Sequence, residues 1–254
     1  MIDTGSTENA VLPAIADQLY LSKGSGGVAN GIGGHKAFTY RNAESLSIGG
    51  LVLNGNQLAA LDLHWFTSSF GGMVSGIIGF HAFGQVPLTI DYQKSLLTVH
   101  HPDHFQPPSG AKAYRLWSYR GLPMIRVVVG QKHEAWLIVD TGAETHITLP
   151  MACAVTWPDI VMVPTTSPGR ARGVGGSVST VHTWLTSIRL LGLDLRRTPV
   201  SFEAQASTPQ RPHMLPIGRI GNQLLRHFHL TFDPKNNRLW VRWRGDDQPP
   251  PKST

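Results

Sequence analysis

The sequence predicts an all-β protein built of two similar halves, and three observations carry that expectation. Charged residues make up only 15% of the 254-residue chain, which also holds 27 glycines and 18 prolines. That composition suits short strands and tight turns better than helices. Asp-Thr-Gly occurs twice, at Asp3-Thr4-Gly5 and at Asp140-Thr141-Gly142. Each copy opens a segment whose later landmarks recur in the same order. Gly31-Ile32-Gly33-Gly34 returns as Gly173-Val174-Gly175-Gly176 and Gly50-Leu51 as Gly192-Leu193, both displaced by 142 positions. The same shift lays residues 76–99 over 218–241 without a gap, matching Gly76 with Gly218, Ile78 with Ile220, Gly79 with Gly221, Leu88 with Leu230, Thr89 with Thr231 and Asp91 with Asp233. The triplets themselves are 137 apart, so the second copy carries extra residues before its glycine turn, a difference that a surface loop absorbs.

Element by element, the second copy is the more complete. Met124 to Val129 reads as an apolar strand, Gly130 to His133 as a turn, and Ala135 to Val139 as the strand that delivers Asp140. The first copy lacks that hairpin. After each triplet an apolar pair runs into proline, Val11-Leu12-Pro13 and Thr148-Leu149-Pro150, consistent with a strand ending there. The glycine turns are followed by Ala37-Phe38-Thr39-Tyr40 and Val178-Ser179-Thr180-Val181, which makes each a hairpin. A phosphate-cradling loop would instead need its glycines to follow a strand and open a helix. Leu46 to Leu53 and Ile188 to Leu195 alternate about a glycine and predict further hairpins. Phe80–Gln85 and Asn222–His227 are the expected helices, each followed by a strand (Leu88 to Asp91, Leu230 to Asp233), a turn and a closing strand. His101 to Lys112 has the proline, glycine and polarity of a linker.

These landmarks resemble the retropepsin-like aspartic proteases, whose lobe runs apolar-apolar-Asp-Thr-Gly-Ala/Ser, then a glycine-rich flap, then apolar-apolar-Gly leading into a short helix and a last strand. Ile2 to Ser6 with Ile77-Ile78-Gly79, and Ile138 to Ala143 with Arg219-Ile220-Gly221, match that pattern. The match runs from the first residues to about Val241. Arg219 departs from it, because the position is usually apolar in the family.

The resemblance implies a single-chain pseudo-dimer of two retropepsin-like lobes, residues 1–100 and 114–245, joined by a linker at 101–113 and followed by a disordered tail at 246–254. The first lobe lacks its N-terminal hairpin. Asp3 and Asp140 would form the catalytic pair, hydrolysing peptide bonds with water as nucleophile and with no cofactor or metal. Two carboxylates about 3 Å apart cannot both ionise, so one is poised to take a proton and the other to give one. Thr4 and Thr141 would exchange hydrogen bonds that lock the two loops, and Gly5 and Gly142, lacking Cβ, would let those loops approach. Position four differs between copies. Ser6 can donate to its own aspartate and Ala143 cannot, which predicts that Asp3 is the more ionised partner and Asp140 the more frequent carrier of the shared proton. Gly31, Ile32, Gly33 and Gly34, with Gly173, Val174, Gly175 and Gly176, would be flap tips closing over an extended polypeptide substrate.

Composition bounds the alternatives. The net charge is +6 and the pI near 9.7, yet Arg170-Ala171-Arg172, Arg196-Arg197 and Arg242-Trp243-Arg244 are short and separated, with no nucleic-acid module beside them. No nucleic-acid partner is expected. The lone Cys153 excludes an internal disulfide framework. No apolar run approaches the roughly 20 residues of a membrane span, and the residues before the first triplet leave no room for a signal peptide. His100, His101 and His104 with Asp103 read as solvated linker rather than as a metal site. Trp136 and Trp240 read as core or lobe-interface residues. Only Met1 and Ile2 precede Asp3, which predicts an upstream segment of a longer protein that supplies the first hairpin and any targeting signal. Two other readings stay open: a peptide-binding scaffold that does not cut, and a homodimer, in place of a monomer, that acts through Asp140 alone. Substrate identity and compartment are not legible.

Overall fold

The computed structural model describes residues 1–66, 71–204 and 215–244, and the fold is all-β. The expected tail at 246–254 lies outside the described residues.

Three sheets organise the chain. The first has six strands in the order Ile2–Asp3, Gly76–Gly79, Ala10–Val11, Leu51–Ala60, Gly34–Ile48 and Ser22–Gly31. The second has eight, in the order Trp117–Tyr119, Leu122–Val129, His133–Val139, Pro216–Ile220, Ile147–Pro150, Leu193–Glu203, Gly176–Leu190 and Val161–Gly173. Its last six strands repeat the first sheet position for position. Of the two extra strands, Leu122–Val129 is the first arm of the second copy's hairpin and Trp117–Tyr119 pairs with it, while Ile2–Asp3 has Gly76–Gly79 as its strand neighbour on the matching sheet.

The third sheet takes strands from both copies, in the order Leu96–Val99, Leu88–Asp91, Phe228–Asp233, Arg238–Trp243 and Lys112–Arg115. At its centre Thr89 lies opposite Thr231, the residues related by the repeat, and their hydroxyls are 2.7 Å apart. The flanking pairs Leu88–Phe232 and Ile90–Leu230 exchange with each other under the same shift. A local two-fold relation therefore passes through this threonine pair. The segment that reads as a linker holds a single turn of 3-10 helix at Pro102–His104, and its last residues, Lys112 and Ala113, pair with Val241 and Trp240 on this sheet.

The main core sits on the third sheet and under the second. Phe83, Leu88, Leu137, Leu149, Phe202, Phe228 and Phe232 are at most 1% exposed, and the rings of Phe80 and Phe232 meet edge to face at 5.3 Å. A smaller cluster in the first copy gathers Leu12, Phe38, Leu61, Leu63 and Ile77. Trp136 is half-buried and packs edge to face on Trp117, while Trp240 lies in the common sheet.

Helices depart from the expectation in kind and number. Phe80–Phe83 is a 3-10 turn and Asn222–Leu225 a single α-turn, both shorter than expected. The proline at 87 restricts the residue before it and discourages further helix. Two further helices follow the strands that run into proline: Pro13–Gln18 begins on its proline, and Met151–Thr156 begins just after Pro150, which ends its strand as expected. Pro13 occupies the first helical turn, where its fixed φ is helical and its missing N–H costs nothing. Among the described residues no helix is long and apolar enough to cross a membrane.

Candidate active site

Each Asp-Thr-Gly triplet leaves a strand held by a parallel neighbour. Ile2–Asp3 pairs with Gly76–Gly79, and His133–Val139 with Pro216–Ile220. The Asp140 N–H continues the second pairing onto the Ile220 carbonyl at 2.9 Å. The loop beyond each triplet then packs on the glycine that ends the parallel strand. A Cβ on Gly79 would strike the carbonyls of Ser6 and Glu8, and one on Gly221 those of Ala143 and Thr145. This is the local reason for the glycine that ends each parallel strand.

The two triplets meet each other. The Thr4 N–H donates to Thr141 Oγ1 and the Thr141 N–H to Thr4 Oγ1, both at 3.0 Å. The Thr4 hydroxyl donates to the Val139 carbonyl at 2.5 Å and the Thr141 hydroxyl to that of Ile2 at 3.0 Å. Four hydrogen bonds made by two buried threonines, two to each other and two to backbone carbonyls of the opposite half, thus tie the loops, and leaving any of these donors unpaired would cost about 1–3 kcal/mol. A Cβ on Gly5 would collide with the Asp140 carboxylate, and a Cβ on Gly142 with that of Asp3. Both positions therefore require glycine.

Asp3 and Asp140 face each other across this junction and share a side-chain hydrogen bond. Within its own loop each Oδ1 accepts from the glycine N–H two residues on, at 2.9 Å in both cases. Burial pushes the Asp3 carboxyl up to about 8, helped by the negative charge of Asp140. Burial also raises Asp140, but the Arg219 guanidinium opposes that rise more strongly than any other group. Both carboxyls are raised and cannot both ionise at this separation, so the pair holds one proton between them.

The expected bond from Ser6 to Asp3 is not formed. The Ser6 hydroxyl donates to the Glu8 carbonyl at 2.8 Å and accepts from the Glu8 N–H at 3.2 Å, so it turns away from Asp3 and closes its own loop. Arg219, which breaks the apolar pattern, supplies the asymmetry instead. One of its nitrogens lies 2.7 Å from both oxygens of Glu203, a carboxylate only 4% exposed at the end of the strand Leu193–Glu203.

The two glycine turns converge above the dyad. The hairpin Ser22–Gly31 with Gly34–Ile48 turns at Ile32-Gly33, and the hairpin Val161–Gly173 with Gly176–Leu190 at Val174-Gly175. The Gly175 N–H donates to the Ile32 carbonyl at 3.1 Å, Gly31 abuts Val174, and Gly173 abuts Ile32. Gly33 has a φ of 85°, and a Cβ there would enter the Gly176 backbone. Gly34, with a φ of 127°, lies against Gly175. Between these tips and the dyad lies a cleft of 1290 Å³, lined on one side by Phe38, Tyr40 and Trp65. That exceeds the roughly 300–1,000 Å³ typical of small-molecule pockets.

Two supports escaped the sequence reading. The Asn222 side chain donates to the Thr141 carbonyl and accepts from the Tyr92 hydroxyl at 2.6 Å, so a residue of the first copy buttresses the second triplet. Asn9 Oδ1 accepts from the Gly79 N–H at 3.0 Å in the first copy. Neither bond leaves a sequence signal, because the partners lie 130 and 70 positions apart.

No protein-family model and no curated protein matches the chain. Among solved structures it is similar to a crystal structure of a retropepsin-like aspartic protease from Rickettsia conorii, at 18% identity and a TM-score of 0.36, over 52% of this chain and 98% of that one.

Proposed function

We propose that this protein is an aspartic-type endopeptidase of the retropepsin-like kind, a single-chain pseudo-dimer whose active site combines one Asp-Thr-Gly loop from each half. The observation that carries the reading is the junction itself: two facing carboxylates, held by mutually bonded loops, at the floor of a cleft roofed by two hairpins.

The chemistry follows from the shared proton. A water between the carboxylates loses a proton to ionised Asp140 as it attacks the peptide carbonyl, and Asp3 donates its proton to the carbonyl oxygen. Asp140 then protonates the leaving amine while Asp3 recovers a proton from the tetrahedral intermediate. Atoms balance without a covalent enzyme intermediate. The polypeptide lies extended beneath the hairpins, whose backbones offer strand-type hydrogen bonds.

Replacing Asp3 or Asp140 singly by Asn tests this. Each change is expected to lower cleavage of an unfolded protein substrate by roughly 10²–10⁴-fold, the usual range for general acid–base groups. Circular dichroism should show the fold retained. An active Asp3→Asn chain beside an inactive Asp140→Asn chain would transfer catalysis to a homodimer of second halves. Activity in both variants would sink the dyad.

A further inference from the structure

The cleft is asymmetric in charge. Val28 and Asn30 of the strand Ser22–Gly31 line it from the first half, and Arg170 and Arg172 of the strand Val161–Gly173 from the second. These are equivalent positions under the 142-residue repeat. Residues two apart in a strand share a face, so each pair presents one chemical character along its hairpin. The pair in the first half is neutral and the pair in the second half carries two guanidinium groups.

Other charges around the cleft already have partners. Glu203 is held by Arg219, and Glu8 takes a hydrogen bond from the Tyr40 hydroxyl. Glu144, on the second triplet's loop, is engaged in a contact of its own. Arg170 and Arg172 are exposed and enter no ion pair among the described residues. Arg120, 5.4 Å from the Tyr119 ring, adds a third cation to the same half. Two unmatched cations in a partly enclosed cleft create a field that a carboxylate satisfies best, through charge-assisted bonds to a planar fork.

We infer that the second half of the cleft selects polypeptides carrying an aspartate or glutamate on one side of the scissile bond, and that Arg170 and Arg172 read that side chain. The inference rests on the endopeptidase reading and adds a substrate class to it. Because the hairpins are equivalent under the repeat, each covers one flank of an extended peptide, and the neutral pair Val28 and Asn30 imposes no matching demand on the other flank. The preference is electrostatic and partly exposed to solvent, so it weakens as salt rises.

The test uses peptide pairs that differ by Glu against Gln at single positions on either flank of one cleavage site. For the wild-type chain the Glu/Gln ratio of kcat/KM should reach roughly tenfold on one flank and stay near one on the other. The double change Arg170→Ala/Arg172→Ala should bring that ratio toward one. Arg172→Glu should turn it toward a Lys-containing peptide. Asn30→Arg, at the equivalent place in the first half, should create an acid preference on the second flank. Binding of the same peptides to the Asp140→Asn chain, read by fluorescence anisotropy, separates the two levels of the argument. Acid-selective binding that needs Arg170 and Arg172, without cleavage by the wild type, would uphold the charge reading and defeat the peptidase. Cleavage with no acid preference, or with one that survives the double change, would defeat the charge reading alone. Neither cleavage nor acid-selective binding would defeat both.

Discussion

Arg219 stands where the first half has Ile77, a core residue only 4% exposed, and this one difference sets the electrostatics of the site. Glu203 fixes the guanidinium, yet its charge still reaches both aspartates and stabilises their ionised forms. Removing that charge should therefore raise both carboxyls, Asp140 before Asp3. Activity that requires one proton on the pair follows a bell in pH, whose two limbs belong to the pair as a whole and whose basic limb lies well above the ordinary carboxylate range, because burial raises both carboxyls. The double change Arg219→Gln/Glu203→Gln should shift both limbs of kcat/KM to higher pH. The glutamate is changed with the arginine because Arg219→Gln alone would break the ion pair of a buried carboxylate. An unmoved bell would show that Glu203 cancels the arginine completely. The sign for stability is opposite to the usual carboxylate case. The native pair keeps a proton that the unfolded chain has lost above 3.8, so the contribution of the pair to stability falls as pH rises from there through its raised titration.

The hairpin tips show how an element's sequence is set by its neighbour. Gly33 is required twice over, by its φ of 85° and by the backbone of the opposing tip. Gly33→Ala should strain its own turn and push the tips apart, lowering kcat/KM by roughly 10²-fold as the roof over the substrate is displaced. Gly50→Ala, at a glycine with open space around it, is the control. Equal effects of the two would show that tip contact is irrelevant. These hairpins were legible because glycine turns and alternating strands leave a local pattern, and because the pattern occurs twice. The helices Pro13–Gln18 and Met151–Thr156 were not legible, since six residues are too few to show a 3.6-residue period. Within the site, the triplets and glycine turns could be read from their spacing. The orientation of Ser6 and the Tyr92–Asn222 bond could not, because both depend on what the folded chain brings alongside.

Across the whole molecule the halves share a sheet and a core. Phe80, Phe83 and Leu88 from one copy pack with Phe228, Leu230 and Phe232 from the other. Phe232→Ala should cost about 3–5 kcal/mol. Because the lost packing belongs to both copies, thermal unfolding should remain one transition at a lower temperature. Far-UV circular dichroism and tryptophan fluorescence would check this, and non-coincident curves would show that the copies unfold independently.

The Thr89–Thr231 pairing has a consequence for dilution. An active site assembled from two separate chains disappears as protein concentration falls below the dissociation constant of the pair. Here the strands Leu88–Asp91 and Phe228–Asp233 belong to one chain, so their encounter is intramolecular and its equilibrium contains no concentration. Under the reading proposed above, the fraction of molecules with a complete dyad is the same in a crowded compartment as at vanishing abundance. Cutting one bond of the chain between residues 99 and 112 would make that fraction depend on concentration again.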